Sequence, residues 1–210
     1  MLLTRLPLVP LPDSRCARCR FPSPGCLCAA LPRLRTGIEF VFVRHASERT
    51  RLTNTGHWAA LALEGSAVVE QGVPGAPLHL PSRAVDGAYV LFPGPPAPPP
   101  GGRPRRIVVP DGTWAQARRI MQRVPALRTL PRLALAPAPG AARLRRPTVA
   151  GGMSTLEAVA AALRALGEGE AASRLDALLE AGVALVERLG RRPCAPGSSA
   201  RRGHAGSRGP

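Results

Sequence analysis

Apolar positions along this chain fall into two rhythms. Glu39–Val43 (EFVFV), Ala88–Phe92 and Ile107–Val109 are short runs rich in β-branched and aromatic residues, which predict buried strands. Ala67–Glu70 and Leu130–Leu135 predict two further strands, and Leu78–Leu80 an extended piece in the otherwise loop-like stretch 71–87. Leu156, Val159, Ala160, Leu163 and Leu166 recur at helical spacing, as do Leu175, Leu178, Leu179, Val183 and Val186 in a helix over about 170–189. His57–Leu63 also predicts a helix, and Pro125 a break. Strands alternating with helices predict an α/β fold with a mostly parallel sheet.

Around these elements lie segments of different composition. Residues 1–13 form a Pro/Leu-rich lead-in, and residues 93–104 (PGPPAPPPGGRP) a proline/glycine loop. From Arg191 the chain is Gly-, Ser- and Arg-rich, the composition of a disordered tail. The expected division is 1–35, 36–190 and 191–210.

The stretch Ile107–Ala117 concentrates chemistry. A strand ends at Pro110, Asp111-Gly112 turns, and Thr113 caps a helix running through Ala115, Ala117, Ile120 and Met121. Open α/β sheets bind ligands at such strand ends, where a helix dipole favours anions. Asp111 and Thr113 are therefore candidates for a site, or simply for capping the helix. After Val43 comes the polar loop Arg44–Gly56, which holds His45, Glu48, Arg51, Asn54 and Thr55. A loop so placed often carries function, although Glu48 and Arg51 also suit a plain surface pair.

Charge narrows the partners. The chain of 210 residues carries 29 basic residues, all arginine, against 13 acidic ones, for a net charge of +16. Arginine's planar fork suits phosphate, so a nucleic acid is the expected partner; GC-rich codon bias (25 Pro, 22 Gly) is the competing source of arginine. No signal peptide or spanning run is recognisable, so the expected location is cytoplasmic, with no membrane partner. The oligomeric state is left open. Cys16, Cys19, Cys26 and Cys28 follow C-x2-C-x6-C-x-C, spacing that favours structural Zn²⁺ over a redox pair or an iron–sulfur cluster. The fifth cysteine, Cys194, lies in the tail. Neither G-x-G-x-x-G nor G-x-x-x-x-G-K is present, so a cofactor would use another architecture.

Asp111-Gly112-Thr113-Trp114 resembles the motif that names the DTW-domain family. Four more stretches match in order: the cysteine cluster, His45-x-x-Glu48-x-x-Arg51-x-Thr53-Asn54-Thr55-Gly56, Leu91-Phe92-Pro93, and Ser154-Thr155-Leu156-Glu157-Ala158. The resemblance covers about residues 15–165. Ala46 stands where members often have proline, Pro110 where an aliphatic residue is usual, and Gly-Gly-Met precedes Ser154.

The resemblance implies a SPOUT-like sheet with a C-terminal knot, preceded by a small four-cysteine zinc module. It implies a tRNA-uridine aminocarboxypropyltransferase, moving the 3-amino-3-carboxypropyl group of S-adenosylmethionine to N3 of a tRNA uridine, at position 47 in bacterial members. The products are acp3U and 5′-methylthioadenosine. Catalytic candidates are Asp111, Thr113, His45 and Glu48, with Asp111 either the base or a cofactor and capping residue. Leu91, Phe92, Pro93, Asp111, Thr113, Trp114, Ser154, Thr155 and Glu157 are candidates for the S-adenosylmethionine pocket. Trp114 is alternatively plain core, and Glu157 alternatively support for its helix's first turn. Arg51, Asn54, Thr55, Arg118, Arg119, Arg143, Arg145 and Arg146 are candidates for tRNA. Two other classes remain open, a SPOUT-like RNA methyltransferase and a non-catalytic zinc-containing RNA-binding protein.

Overall fold

Four of the apolar runs pair into one sheet in the computed structural model, which describes residues 14–73, 75, 80–94, 103–133, 135, 144 and 152–190. They are β1 (Glu39–His45), β2 (Ala67–Gln71), β3 (Ala88–Val90) and β4 (Arg106–Asp111), ordered β2-β1-β4-β3. Every pair is parallel, as alternation with helices predicts. The lead-in 1–13, most of the 93–104 loop, Leu78 and His79, Arg143, Arg145, Arg146, Gly151, and the tail from 191 with Cys194 lie outside the described residues.

Alternation along β1 and β4 sorts the side chains between two cores. Phe40, Phe42, Ile107 and Val109 face one side, covered by α1 (Thr55–Ala62), α5 (Thr155–Ala165) and α6 (Gly169–Arg188). Val41, Val43 and Val108 face the other, with α2 (Ser82–Val85), α3 (Trp114–Arg123) and α4 (Pro125–Thr129). Both central strands are buried on both faces, which is why their sequences are continuously apolar. On the first side Trp58 is fully buried, its ring 5.6 Å from that of Phe21 and its Nε1 donating to the Leu52 carbonyl at 3.1 Å. Gly182 of α6 lies where any Cβ would collide with that indole.

Pro110 sits in a central strand without breaking the ladder. The Val108 carbonyl accepts from Leu91 N at 2.9 Å, so alternate residues 106, 108 and 110 present their backbone towards β3. By the register β3 has ended at Val90, opposite Val108, and the missing N–H costs no partner there.

Pro125 marks the expected break: α3 ends at Arg123, Val124 is extended, and Pro125 then opens the separate short helix α4, where its missing N–H is harmless. Two expectations change. The loop-like stretch 71–87 holds the short helix α2. Among the described residues of the run Leu130–Leu135 there is a single parallel bridge, Arg132 with Val90, in place of a strand. Pro131 contributes a carbonyl to Val90 N at 2.9 Å but has no N–H to extend the ladder. Among the described residues no helix is long and apolar enough to cross a membrane.

Candidate active site and metal centre

The helix that follows β1 covers one face of the sheet and the helix that follows β4 covers the other. β1 and β4 are neighbours, so their carboxyl ends flank the crevice where an open parallel sheet binds ligands. Arg44 and Asp111 stand opposite each other there, and Glu70 of β2 is the next in register beyond Arg44. By parity, Arg44 and Asp111 point to the face of α1 and α5, since they continue the Phe40–Phe42 and Ile107–Val109 series.

Asp111 is buried, and each of its two oxygens accepts one hydrogen bond. Its Oδ2 accepts from Asn54 Nδ2 at 3.0 Å and its Oδ1 from the Thr155 hydroxyl at 2.8 Å. Asn54 also caps α1 by accepting from His57 N. Thr113 caps α3 in a reciprocal box with Gln116, and Ser154 caps α5 in a second box with Glu157. The starts of three helices therefore gather round one carboxyl end of the sheet, and their dipoles make it a favourable place for negative charge. Burial pushes the Asp111 carboxyl above its ordinary value, against the pull of Asn54, Thr155 and the Arg44 charge. Gly56 is packed so closely on the carboxylate that a Cβ would overlap it.

Arg44, 1% exposed, is held by Glu70, which also binds Arg49. Burial raises the Glu70 carboxyl, but the hydrogen bonds from Arg49 and Arg44 outweigh it and hold the group below the carboxylate range. His45 closes β1 with its Nδ1 2.9 Å from Ser47 Oγ and 3.3 Å from Gln116 Nε2. Since Ser47 N and Gln116 Nε2 can only donate, Nδ1 accepts and the ring proton sits on Nε2. Glu48 is buried and pairs with Arg51 Nε at 3.3 Å.

Cys16, Cys19, Cys26 and Cys28 carry no disulfide, and their four Sγ atoms lie within 4.8 Å of one another. Cys16 and Cys28 sulfurs are 3.6 Å apart, and those of Cys19 and Cys26 3.4 Å. Tetrahedral Zn–S bonds of about 2.3 Å place sulfurs roughly 3.8 Å apart, so the donor set fits a thiolate-bound metal. The cysteines are not a detached lobe, because Cys19, Phe21 and Leu27 are buried in the same core as α1, α5 and α6.

The sequence-predicted residues separate into groups. Asp111, Asn54 and Thr155 meet directly, while Thr113, Ser154 and Glu157 form caps beside them, and Thr55 opens α1. Phe92 and Trp114 stack at 5.3 Å and 5°, half-buried, between Leu91 and the start of α3. Arg132 lies 6.0 Å over Phe92 and donates to the Pro93 carbonyl at 3.1 Å. Arg118 and Arg119 are exposed on α3, and Arg51 is exposed in the loop after β1. Arg143, Arg145 and Arg146 lie outside the described residues. Sequence reasoning missed Arg44, Glu70, Gln116, His57 and Arg20. Only Gln116 carried a signal, three residues after the Thr113 cap.

His57 gives this site a pH response. Its Nε2 lies 2.7 Å from the Arg18 carbonyl, and burial, then the charge of Arg20, drives its pKa down to about 3. Folded His57 thus stays neutral, whereas in the unfolded chain it takes a proton below about 6.5. Between those values the unfolded state binds more protons, so stability is complete above about pH 6.5 and is lost as pH falls towards 3. Asp111, shifted upwards, acts in the opposite sense. His57→Gln, which keeps a donor for Arg18, is expected to lose less of its urea midpoint than wild type between about pH 7 and 4.5. Equal losses in the two proteins would refute this.

The DTW domain matches residues 13–187 of this chain. The tRNA-uridine aminocarboxypropyltransferase 2 of Drosophila melanogaster is 31% identical over 168 residues, covering 73% of this chain and 66% of that protein. The chain thus spans just under two thirds of that relative's length. No solved structure matches it.

Proposed function

The chain belongs to the DTW-domain family, and we propose that it transfers the 3-amino-3-carboxypropyl group of S-adenosylmethionine to N3 of a tRNA uridine, at position 47. The observation that carries this reading is Asp111, buried at the crevice between β1 and β4 and bonded to the first turns of α1 and α5. The similarity to the Drosophila transferase supports the substrate class.

S-adenosylmethionine, when bound, supplies a sulfonium that activates its Cγ towards a nucleophile. The chain must then present that carbon in line and exclude the methyl, a task of orientation. Leu91, Phe92, Pro93, Thr113, Trp114, Ser154, Thr155 and Glu157 suit the cofactor pocket, since they gather at the strand ends and helix starts. Uridine N3–H is a weak acid, and a carboxylate whose pKa is raised by burial is better matched to accept its proton than an exposed one. Asp111 takes that role, with His45 and Glu48 shaping the wall. Arg51, Asn54 and Thr55 face the uridine, and Arg118, Arg119, Arg143, Arg145 and Arg146 serve the phosphates, giving salt-sensitive binding.

In this reading residues 1–35 hold structural zinc on Cys16, Cys19, Cys26 and Cys28, residues 36–190 carry the transfer, and 191–210 form a tail. The all-parallel sheet is the part of a SPOUT-like architecture that the strand order supports, and a C-terminal knot belongs to the same proposal. The test is mass spectrometry of unmodified bacterial tRNA incubated with the protein and S-adenosylmethionine. A nucleoside heavier by the aminocarboxypropyl group, with methylthioadenosine released, is expected. A methylated nucleoside with S-adenosylhomocysteine would make it a methyltransferase, and tRNA binding without turnover a non-catalytic RNA-binding protein.

A further inference from the structure

The cysteine segment is bonded along the loop that follows β1. Arg15 Nη1 donates to the Thr50 carbonyl at 3.3 Å, and Arg20 Nη1 to the Glu48 carbonyl at 3.4 Å. The Arg18 carbonyl meets His57 Nε2, and Phe21 packs on Trp58, whose Nε1 reaches the Leu52 carbonyl. These links start beside Cys16 and Cys19 and end on both sides of Asn54, the residue that holds Asp111.

Arg20 is out of place by two criteria. It is 5% exposed, an unusual depth for arginine, and its φ is +69°, a conformation that favours glycine. The turn is closed by Arg20 N on the Cys16 carbonyl and Cys16 N on the Phe21 carbonyl, both at 2.8 Å. Glycine would suit this turn better and solvent would suit the guanidinium better. Burial, then the charge of Arg44, even lowers the guanidinium's pKa to about 10. A bond from this side chain to the loop is the gain that offsets both.

We propose that Arg20 is a positioning residue that couples the metal-bound cysteine knuckle to the order of the loop from His45 to Asn54. With the knuckle fixed by metal, the turn at residue 20 aims the guanidinium at the Glu48 carbonyl. The loop then presents Asn54 to Asp111. The proposal rests on the cysteines holding metal and does not depend on which reaction the site performs.

Arg20→Gly separates the two functions, since glycine relaxes the turn while removing the donor. Metal content by plasma mass spectrometry and amide hydrogen exchange are read on the full chain. The expected result is wild-type metal stoichiometry with exchange over residues 45–57 roughly tenfold faster or more, and α6 unchanged. Chelating wild type is expected to give the same loop pattern, and chelating the variant to add less in the loop than it adds in wild type, since only the Arg15, Arg18 and Phe21 contacts remain to be loosened. Arg20→Lys, which keeps a donor, is expected to restore part of the protection. Unchanged loop protection in metal-loaded Arg20→Gly would overturn the proposal, as would loss of metal by that variant. A lysine variant as fast as the glycine variant would overturn the donor's role. Wild type purified without metal would overturn the coupling while leaving the transfer assay intact.

Discussion

Asp111→Asn is expected to slow uridine transfer by about 10²–10⁴-fold, the range for removing a positioned general base. Asparagine has the same outline but a single accepting oxygen. In the folded protein one carboxylate oxygen serves Asn54 and the other Thr155. The variant keeps Asn54 on its oxygen and turns its NH2 to the Thr155 hydroxyl, which can accept, so charge-assisted bonds become neutral ones at a cost of about 1 kcal/mol. Rate and binding measurements separate the two effects. A base lost by itself lowers kcat while cofactor affinity by calorimetry stays near wild type. The wild-type rate should then fall as pH drops through the raised Asp111 value, and the variant should lack that limb. A loss of cofactor affinity equal to the loss of rate would make Asp111 a holder of S-adenosylmethionine instead. A rate within about threefold of wild type would sink both roles.

Gly56→Ala is the second large effect, because its sign runs against propensity. Within a helix, alanine is favoured over glycine by about 1 kcal/mol. At Gly56 the added methyl meets both oxygens and the carboxyl carbon of Asp111, which cannot retreat without abandoning Asn54 or Thr155. The expected loss of stability is about 1–3 kcal/mol, as for other overpacked sites, with transfer falling alongside it. Gly169, at the start of α6, is the control, since a Cβ there meets nothing within 4 Å. Urea denaturation should find Gly169→Ala neutral or stabilised. Equal midpoints for the two alanine variants would show that Gly56 is not required by the carboxylate.

The strands were legible because β1 and β4 are buried on both faces, and such strands must be apolar throughout. The Thr113 cap was legible for a related reason: it acts over three residues, within reach of a local pattern, although its partner Gln116 was missed. Asp111 could be placed at the end of a strand, but its partners are 57 and 44 positions away. Arg44 looked like the first member of a basic loop, and only pairing with β2 reveals it as a buried ion bound to Glu70. Arg20 and His57 gave no sign at all, since nothing in their neighbours fixes a positive φ or an acceptor 39 positions away. The Leu130–Leu135 run misled because its apolar content resembles a strand while Pro131 denies it a ladder.

The strand order has a bearing on how the chain is made. β1 is central, yet its partner β4 is paired with it across 67 positions, from Glu39 to Arg106. At about 5–20 residues per second of synthesis, the EFVFV segment waits roughly 3–13 seconds on the ribosome before that edge can be covered. Only β2 is available sooner, and it screens the other edge. During that interval the nascent chain exposes an unpaired, strongly apolar edge, the species on which holdase chaperones act and from which aggregates start. Yield in a recombinant host should thus respond more to translation rate and chaperone supply than the stability of the finished protein would suggest.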